Sequence, residues 1–99
     1  MINHIVLWNL KEELSENERK AAASEIKLRL ESIKSQVTGV ISLELVINEA
    51  KSSNKDIALL SKFDSWEALQ AYQVHPAHIE AGKYVGSVTC GRSCFDYEE

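Results

Sequence analysis

The chain has 99 residues, 44% hydrophobic and 26% charged, with a net charge of −4. That length fits one domain, residues 1–99, burying roughly 60–68% of its unfolded surface. The acidic balance without a Lys/Arg stripe excludes nucleic acid, no run nears the ~20 apolar residues of a membrane span, and Met1-Ile2-Asn3-His4 lacks the basic start of a signal peptide, so a cytoplasmic location is expected.

Ile2 to Leu10 is a short run rich in apolar, β-branched and aromatic residues and predicts a strand. Ser15-Glu16-Asn17-Glu18 has the form of a capping box, with Glu18 reaching back to Ser15. The helix it opens puts Ala22, Ile26, Ile33 and Val37 on one face, with Leu30 beside them. Gly39 supplies the stop. Val40 to Asn48 alternates, Ile41, Leu43, Leu45 and Ile47 against Ser42 and Glu44, and predicts the second strand. Glu49 to Asn54 is a polar turn, and Asp56 to Phe63 predicts a third strand antiparallel to the second.

Asp64-Ser65-Trp66-Glu67 has the form of a second capping box, opening a helix through Trp66, Leu69 and Tyr72. Pro76 fits the first turn of a further short helix and pushes His75 out of helical geometry. That helix is expected to end near Gly86. Val88 to Tyr97, interrupted by Gly91, predicts the last strand.

The order is β-α-β-β-α-β, the split arrangement of an α+β, ferredoxin-like fold with a four-stranded antiparallel sheet. Both crossovers are right-handed, which puts the helices on one face. Yet Ile5 and Leu7 oppose Val6 and Trp8, and Ile57 and Leu59 oppose Ala58 and Leu60, so two strands are apolar on both faces. A solvated face should read polar. The expected cover is a second copy of the chain, a homodimer through the sheet face.

Cys90 and Cys94 fall on the last strand, with Cα atoms ~13 Å apart at about 3.3 Å per residue. A disulfide needs roughly 4.4–6.8 Å, so they read as two small buried or half-buried thiols.

The stretch Tyr72-Gln73-Val74-His75-Pro76-Ala77-His78 carries two of the three histidines and the only proline. His75 reads as a structural corner with Pro76, its side chain capping nearby backbone. His78 falls near a helix N-terminus, where the dipole disfavours positive charge and leaves the neutral imidazole a general base needs. It reads either as that or as a corner residue bonded to a backbone carbonyl. Tyr72, closing the preceding helix, is either core or a donor to the imidazole or to a substrate carbonyl. His4 faces the same way as Val6 and Trp8 and is either a satisfied strand histidine or a pocket residue, with Trp8 in the pocket wall. Trp8 and Trp66 otherwise serve as core or interface mass. His75 and His78 are three apart, but with Glu80 alone nearby no ligand set is complete, so no metal is expected. No Gly-x-Ser-x-Gly elbow and no glycine-rich phosphate loop exists, and no cofactor is expected.

Three stretches carry a family resemblance: His4-Ile5-Val6-Leu7-Trp8, Phe63 through His78, and Phe95-Asp96-Tyr97. Together they resemble the stress-responsive A/B barrel domain (Dabb, dimeric α/β-barrel) family. The resemblance implies a dimer whose two sheets pack into a barrel with helices outside. Most bacterial members have no assigned activity. A plant branch similar to this chain consists of polyketide cyclases of the olivetolic acid type, which close a ring by aldol condensation without a cofactor. Their His-Pro-x-His motif supplies a general base oriented by a tyrosine. Carried over, His78 would be the base, Tyr72 its partner and His4 a pocket histidine. The chain departs from that branch near Asp56, where the branch has a further histidine, and near Ile26, where it has a tyrosine.

Three functional readings follow. One is a homodimeric barrel with a pocket for an apolar or aromatic small molecule. The second is a cofactor-free lyase, cyclase or isomerase with His78 as base and Tyr72 stabilising an oxyanion. The third is a structural, stress-responsive dimer without a ligand.

Overall fold

Alternation of side chains builds the sheet of the computed structural model, which describes residues 1–99. In β1 (Ile2–Leu10), Ile2, His4, Val6 and Trp8 are buried under the helices, while Ile5 and Leu7 face the other way and are only partly covered. Strands β2 (Val40–Ile47), β3 (Ile57–Phe63) and β4 (Thr89–Glu98) complete a four-stranded sheet in the order β2-β3-β1-β4. Every neighbouring pair is antiparallel. This is the expected ferredoxin-like α+β arrangement.

Helix α1 (Glu16–Glu31) begins as its sequence dictates. The Ser15 hydroxyl accepts from the Glu18 amide at 3.1 Å, and the Glu18 carboxylate accepts from the Ser15 amide at 2.7 Å. Both halves of the capping box are present, which stabilises the helix start by about 1 kcal/mol. Ala22, Ala23, Ile26 and Leu30 are buried against the sheet, and a 3₁₀ turn (Ser32–Ser35) carries Ile33 into the same core. Gly39, expected to stop this helix, lies beyond its end at Glu31 and instead reverses the chain into β2 with φ +89°; a Cβ there would lie 2.7 Å from that of Ala68. Only glycine fits both the backbone and the space.

The second crossover holds two helices, α2 (Trp66–Val74) and α3 (Pro76–Val88). The cap of α2 is Ser65, whose hydroxyl accepts from the Ala68 amide at 3.1 Å. The expected box starting at Asp64 is therefore displaced by one residue. With Ala68 three residues on, there is no side chain to reach back. Trp66 is 43% exposed and is not core mass; Leu69 and Tyr72 carry the buried face. Helix α3 runs two residues past Gly86, because Ala81 and Val85 pack on the core while Gly82 and Gly86 face open space.

The helix layer sits over β2, β3 and β1, and of the helices α3 alone meets β4 appreciably. Beyond Thr89, all of β4 is exposed. Cys90 and Cys94 are consequently exposed free thiols, not the buried or half-buried ones the strand pattern suggested. An edge strand is covered only as far as the helices reach. The opposite sheet face leaves Leu60 41%, Phe95 65% and Tyr97 41% exposed beside Ile5 and Leu7. No helix is long and apolar enough to cross a membrane.

Candidate functional site

Pro76 has no amide hydrogen and cannot continue α2, so the chain turns at His75, which adopts φ −68° and ψ 139°. The His75 amide still donates to the Tyr72 carbonyl at 3.2 Å, and its own carbonyl accepts from the Ile79 amide at 3.0 Å. Its imidazole Nδ1 accepts from the Ala77 amide at 3.0 Å. His75 thus ends one helix and caps the next, and Pro76 occupies the first turn of α3. With Nδ1 in use as a cap, and Glu80 3.7 Å from Lys83, the His75–His78 spacing builds no metal site.

The corner aims His78 back at Tyr72, the ring centroids lying 4.5 Å apart at 61°. Tyr72 is fully buried and also packs on Phe63 at 4.9 Å. The two rings meet edge to face, a contact worth about 0.5–1.5 kcal/mol beyond their burial. The Tyr72 hydroxyl and His78 Nδ1 are both buried and neither makes a hydrogen bond of full geometry, the Gln73 backbone being the only backbone group that acts on the imidazole proton. The imidazole is therefore packed by the tyrosine ring and not oriented by its hydroxyl. A buried polar atom left unsatisfied costs about 1–3 kcal/mol. Two such atoms on residues whose rings touch make this the candidate binding site.

Both residues line a cavity of about 320 Å³ between the sheet and α3. Val6, Trp8, Leu30, Leu59 and Val85 give it apolar walls, and the exposed Gly82, Gly86 and Arg92 form its mouth. Trp8 is one of the residues lining this cavity. His4 does not line this cavity. It lies a layer behind, buried to 2% exposure, its ring 6.4 Å from that of Tyr72 and 6.1 Å from that of Phe63. There its Nδ1 is 2.5 Å from Asp96 Oδ1. Further hollows on the outer sheet face, one of about 590 Å³ beside Ile5, Leu60 and Tyr97, contain no unpartnered buried polar atom.

Burial holds both facing groups in their neutral forms. Burial pushes the His78 pKa below its ordinary 6.5, outweighing the upward pull of the Gln73 backbone. Burial alone pushes Tyr72 up to about 12. Near neutral pH the site thus presents a free base beside a protonated donor. Expected consequences for stability have a definite sign. As pH falls below 6.5 the unfolded chain takes up the His78 proton before the folded chain does. Stability carried by the neutral imidazole is complete above 6.5 and is lost through the window below it. Between about pH 7 and about pH 5, urea midpoints of the wild type should fall further than those of His78→Gln. Parallel falls would contradict the assignment.

Arg92 is the one cation lining the cavity, and it makes no salt bridge. Sequence reasoning passed it over, because a single Arg in a strand gives no signal until the register of β4 is known. The plant-branch departures are structural here. Asp56 accepts from the Leu10 amide at 2.8 Å and lies 3.6 Å from Arg19. Ile26 is wholly buried core. Neither lines the cavity.

Comparison with known proteins agrees with this architecture. The sequence matches the family described as Stress responsive A/B Barrel Domain over residues 2–99. No curated protein matches it. A Bacteroides fragilis crystal structure, described as a dimeric protein of unknown function with a ferredoxin-like fold, superposes with a TM-score of 0.92 at 28% identity, covering 99% of this chain and 95% of that one. A Dabb family protein from Mesorhizobium loti gives 0.75 at 21% identity, with 99% and 95% covered. The hydroxynitrile lyase of Passiflora edulis gives 0.79 at 15% identity, with 97% and 90% covered.

Proposed function

The chain belongs to the stress-responsive A/B barrel domain family, and from that premise we propose that it acts as a homodimer whose protomers each bind an apolar or aromatic carbonyl compound against Tyr72 and His78. The observation that carries this reading is the pair of buried, unpartnered polar atoms on Tyr72 and His78, two residues that line a cavity with largely apolar walls. A carbonyl oxygen accepts from the Tyr72 hydroxyl, and the apolar body of the ligand lies on Val6, Trp8 and Leu59. Arg92 at the mouth suits a ligand bearing a negative or strongly polar end.

The protonation states favour a catalytic version of this reading. A neutral imidazole can remove a proton next to the carbonyl, while Tyr72, still protonated, donates to the oxygen on which charge develops. The electron pair of the broken C–H bond moves into the enolate, and the proton passes to His78. The reaction is then of lyase, cyclase or isomerase type and needs no cofactor. A lyase among the structural matches supports such chemistry on this fold. His4 orients the ring packing of Tyr72 from behind, and His75 and Pro76 hold the corner.

Residues 1–99 are taken as a single domain. The dimer forms through the outer sheet face, where Leu60 and Phe95 lie exposed, and relatives described as dimeric support it. Two exposed, unpaired thiols suit a reducing compartment such as the cytoplasm.

Trp8 reports on the cavity. In a Trp66→Phe background, titrating apolar β-keto and aromatic carbonyl compounds should change Trp8 fluorescence saturably, with the response weakened at least about tenfold in His78→Ala. A flat response across the panel would leave only a structural dimer.

A further inference from the structure

His4 and Asp96 are paired across β1 and β4, and Cys94 precedes Asp96 by two residues on the same side of β4. Their side chains converge on one nitrogen. Asp96 Oδ1 lies 2.5 Å from His4 Nδ1, Cys94 Sγ lies 3.9 Å from that same Nδ1, and Sγ and Oδ1 are 3.6 Å apart. A nucleophilic triad would place thiol and carboxylate on opposite ring nitrogens, so that a proton could pass through the imidazole. Here both sit on Nδ1, and that relay is impossible. Convergence of a nitrogen, a sulfur and a carboxylate oxygen on one point is the geometry of ligation.

We propose that His4 Nδ1, Cys94 Sγ and the Asp96 carboxylate form a three-ligand zinc site at the margin of the helix layer, where the buried His4 meets the uncovered strand β4. Tetrahedral zinc, with bonds of roughly 2.0–2.3 Å, separates its ligand atoms by about 3.4–3.6 Å. The 3.6 Å separation of Cys94 and Asp96 already suits this arrangement, and the 3.9 Å separation of Cys94 and His4 needs to close by only about 0.3 Å. The His4–Asp96 pair opens by about 1 Å as the ion replaces the hydrogen between them. Mixed N, S and O donors favour zinc over magnesium or calcium, which take oxygen. On binding, Cys94 releases its thiol proton to solvent, and the imidazole proton shifts to Nε2. Thiolate and carboxylate then balance the charge of the ion. His4 is held in place by Phe63 and Tyr72, while Cys94 and Asp96 are exposed and admit the metal. Three protein ligands leave a fourth position for water, the composition of a catalytic rather than a structural site. The site lies on the helix side of the sheet, opposite the outer face assigned to the dimer. His78 has no part in it, so its failure leaves the cavity reading untouched.

The test is cobalt(II) titration of chelator-treated protein. About one equivalent per chain should produce the thiolate-to-cobalt charge-transfer band and the visible bands of tetrahedral cobalt, both removed by zinc. Cys94→Ser, at an exposed position, should lose the charge-transfer band with an unchanged circular dichroism spectrum. Cys90→Ser should keep it, and Asp96→Asn should weaken affinity on the order of tenfold or more. No charge-transfer band at stoichiometric cobalt, or a band that survives Cys94→Ser, overturns the proposal.

Discussion

Replacing His78 by Ala should lower turnover of a carbonyl substrate about 10²–10⁴-fold, the contribution of a positioned general base. The measurement is kcat and KM on a panel of polyketide and β-keto compounds. Equal rates for wild type and variant would sink the catalytic reading. Tyr72→Phe separates the two residues' roles. It removes one donor to the developing oxyanion, so kcat should fall about 10²–10³-fold with KM little altered. Its effect on stability should run the other way. The wild-type hydroxyl is buried without a partner, so deleting it while keeping the ring should leave Tm unchanged or raised. A protein that gains stability as it loses activity is the signature of a polar group retained for a ligand.

Leu60→Asp combined with Phe95→Asp should convert the dimer to a monomer. Both side chains lie exposed on the outer sheet face, at 41% and 65%. Seating a carboxylate in an apolar interface costs several kcal/mol, because the charge loses its water without gaining a partner. Sedimentation equilibrium should give about 22 kDa for the wild type, twice the 11.1 kDa chain, and about 11 kDa for the double variant. The helices pack on the other face, so the variant should keep its secondary structure. A wild-type mass near 11 kDa at micromolar concentration would remove the dimer altogether.

Local chemistry was readable from the sequence wherever neighbours in the chain are also neighbours in space. The Ser15–Glu18 box and the His75–Pro76 corner each depend on a few consecutive residues, and each stands where the sequence puts it. The apolar alternation also marked the outer face correctly. What could not be read depends on register across the sheet. His4 and Asp96 are 92 residues apart and meet only because β4 pairs with β1. Arg92 reaches the cavity from the irregularity where that β1–β4 pairing shifts. The exposure of Cys90 and Cys94 and of Trp66 follows from where the helix layer stops, which no pattern along a single element encodes. The Asp64 box failed for a smaller reason. Ser65 competes for the same cap one residue later, and the backbone settles on it.

The central position of β1 has a consequence for how the molecule is made. This strand pairs on one side with β3 and on the other with β4, matching Ile2 with both Phe63 and Glu98. During synthesis it is made before both of its partners and waits, apolar on both faces, until β4 has followed. Such distant pairing slows folding through the entropy of closing long loops. It also leaves an unpaired, sticky strand available for wrong partners in the interval. Helix α1, with its built-in cap, is the element able to form first and shelter one side of that strand.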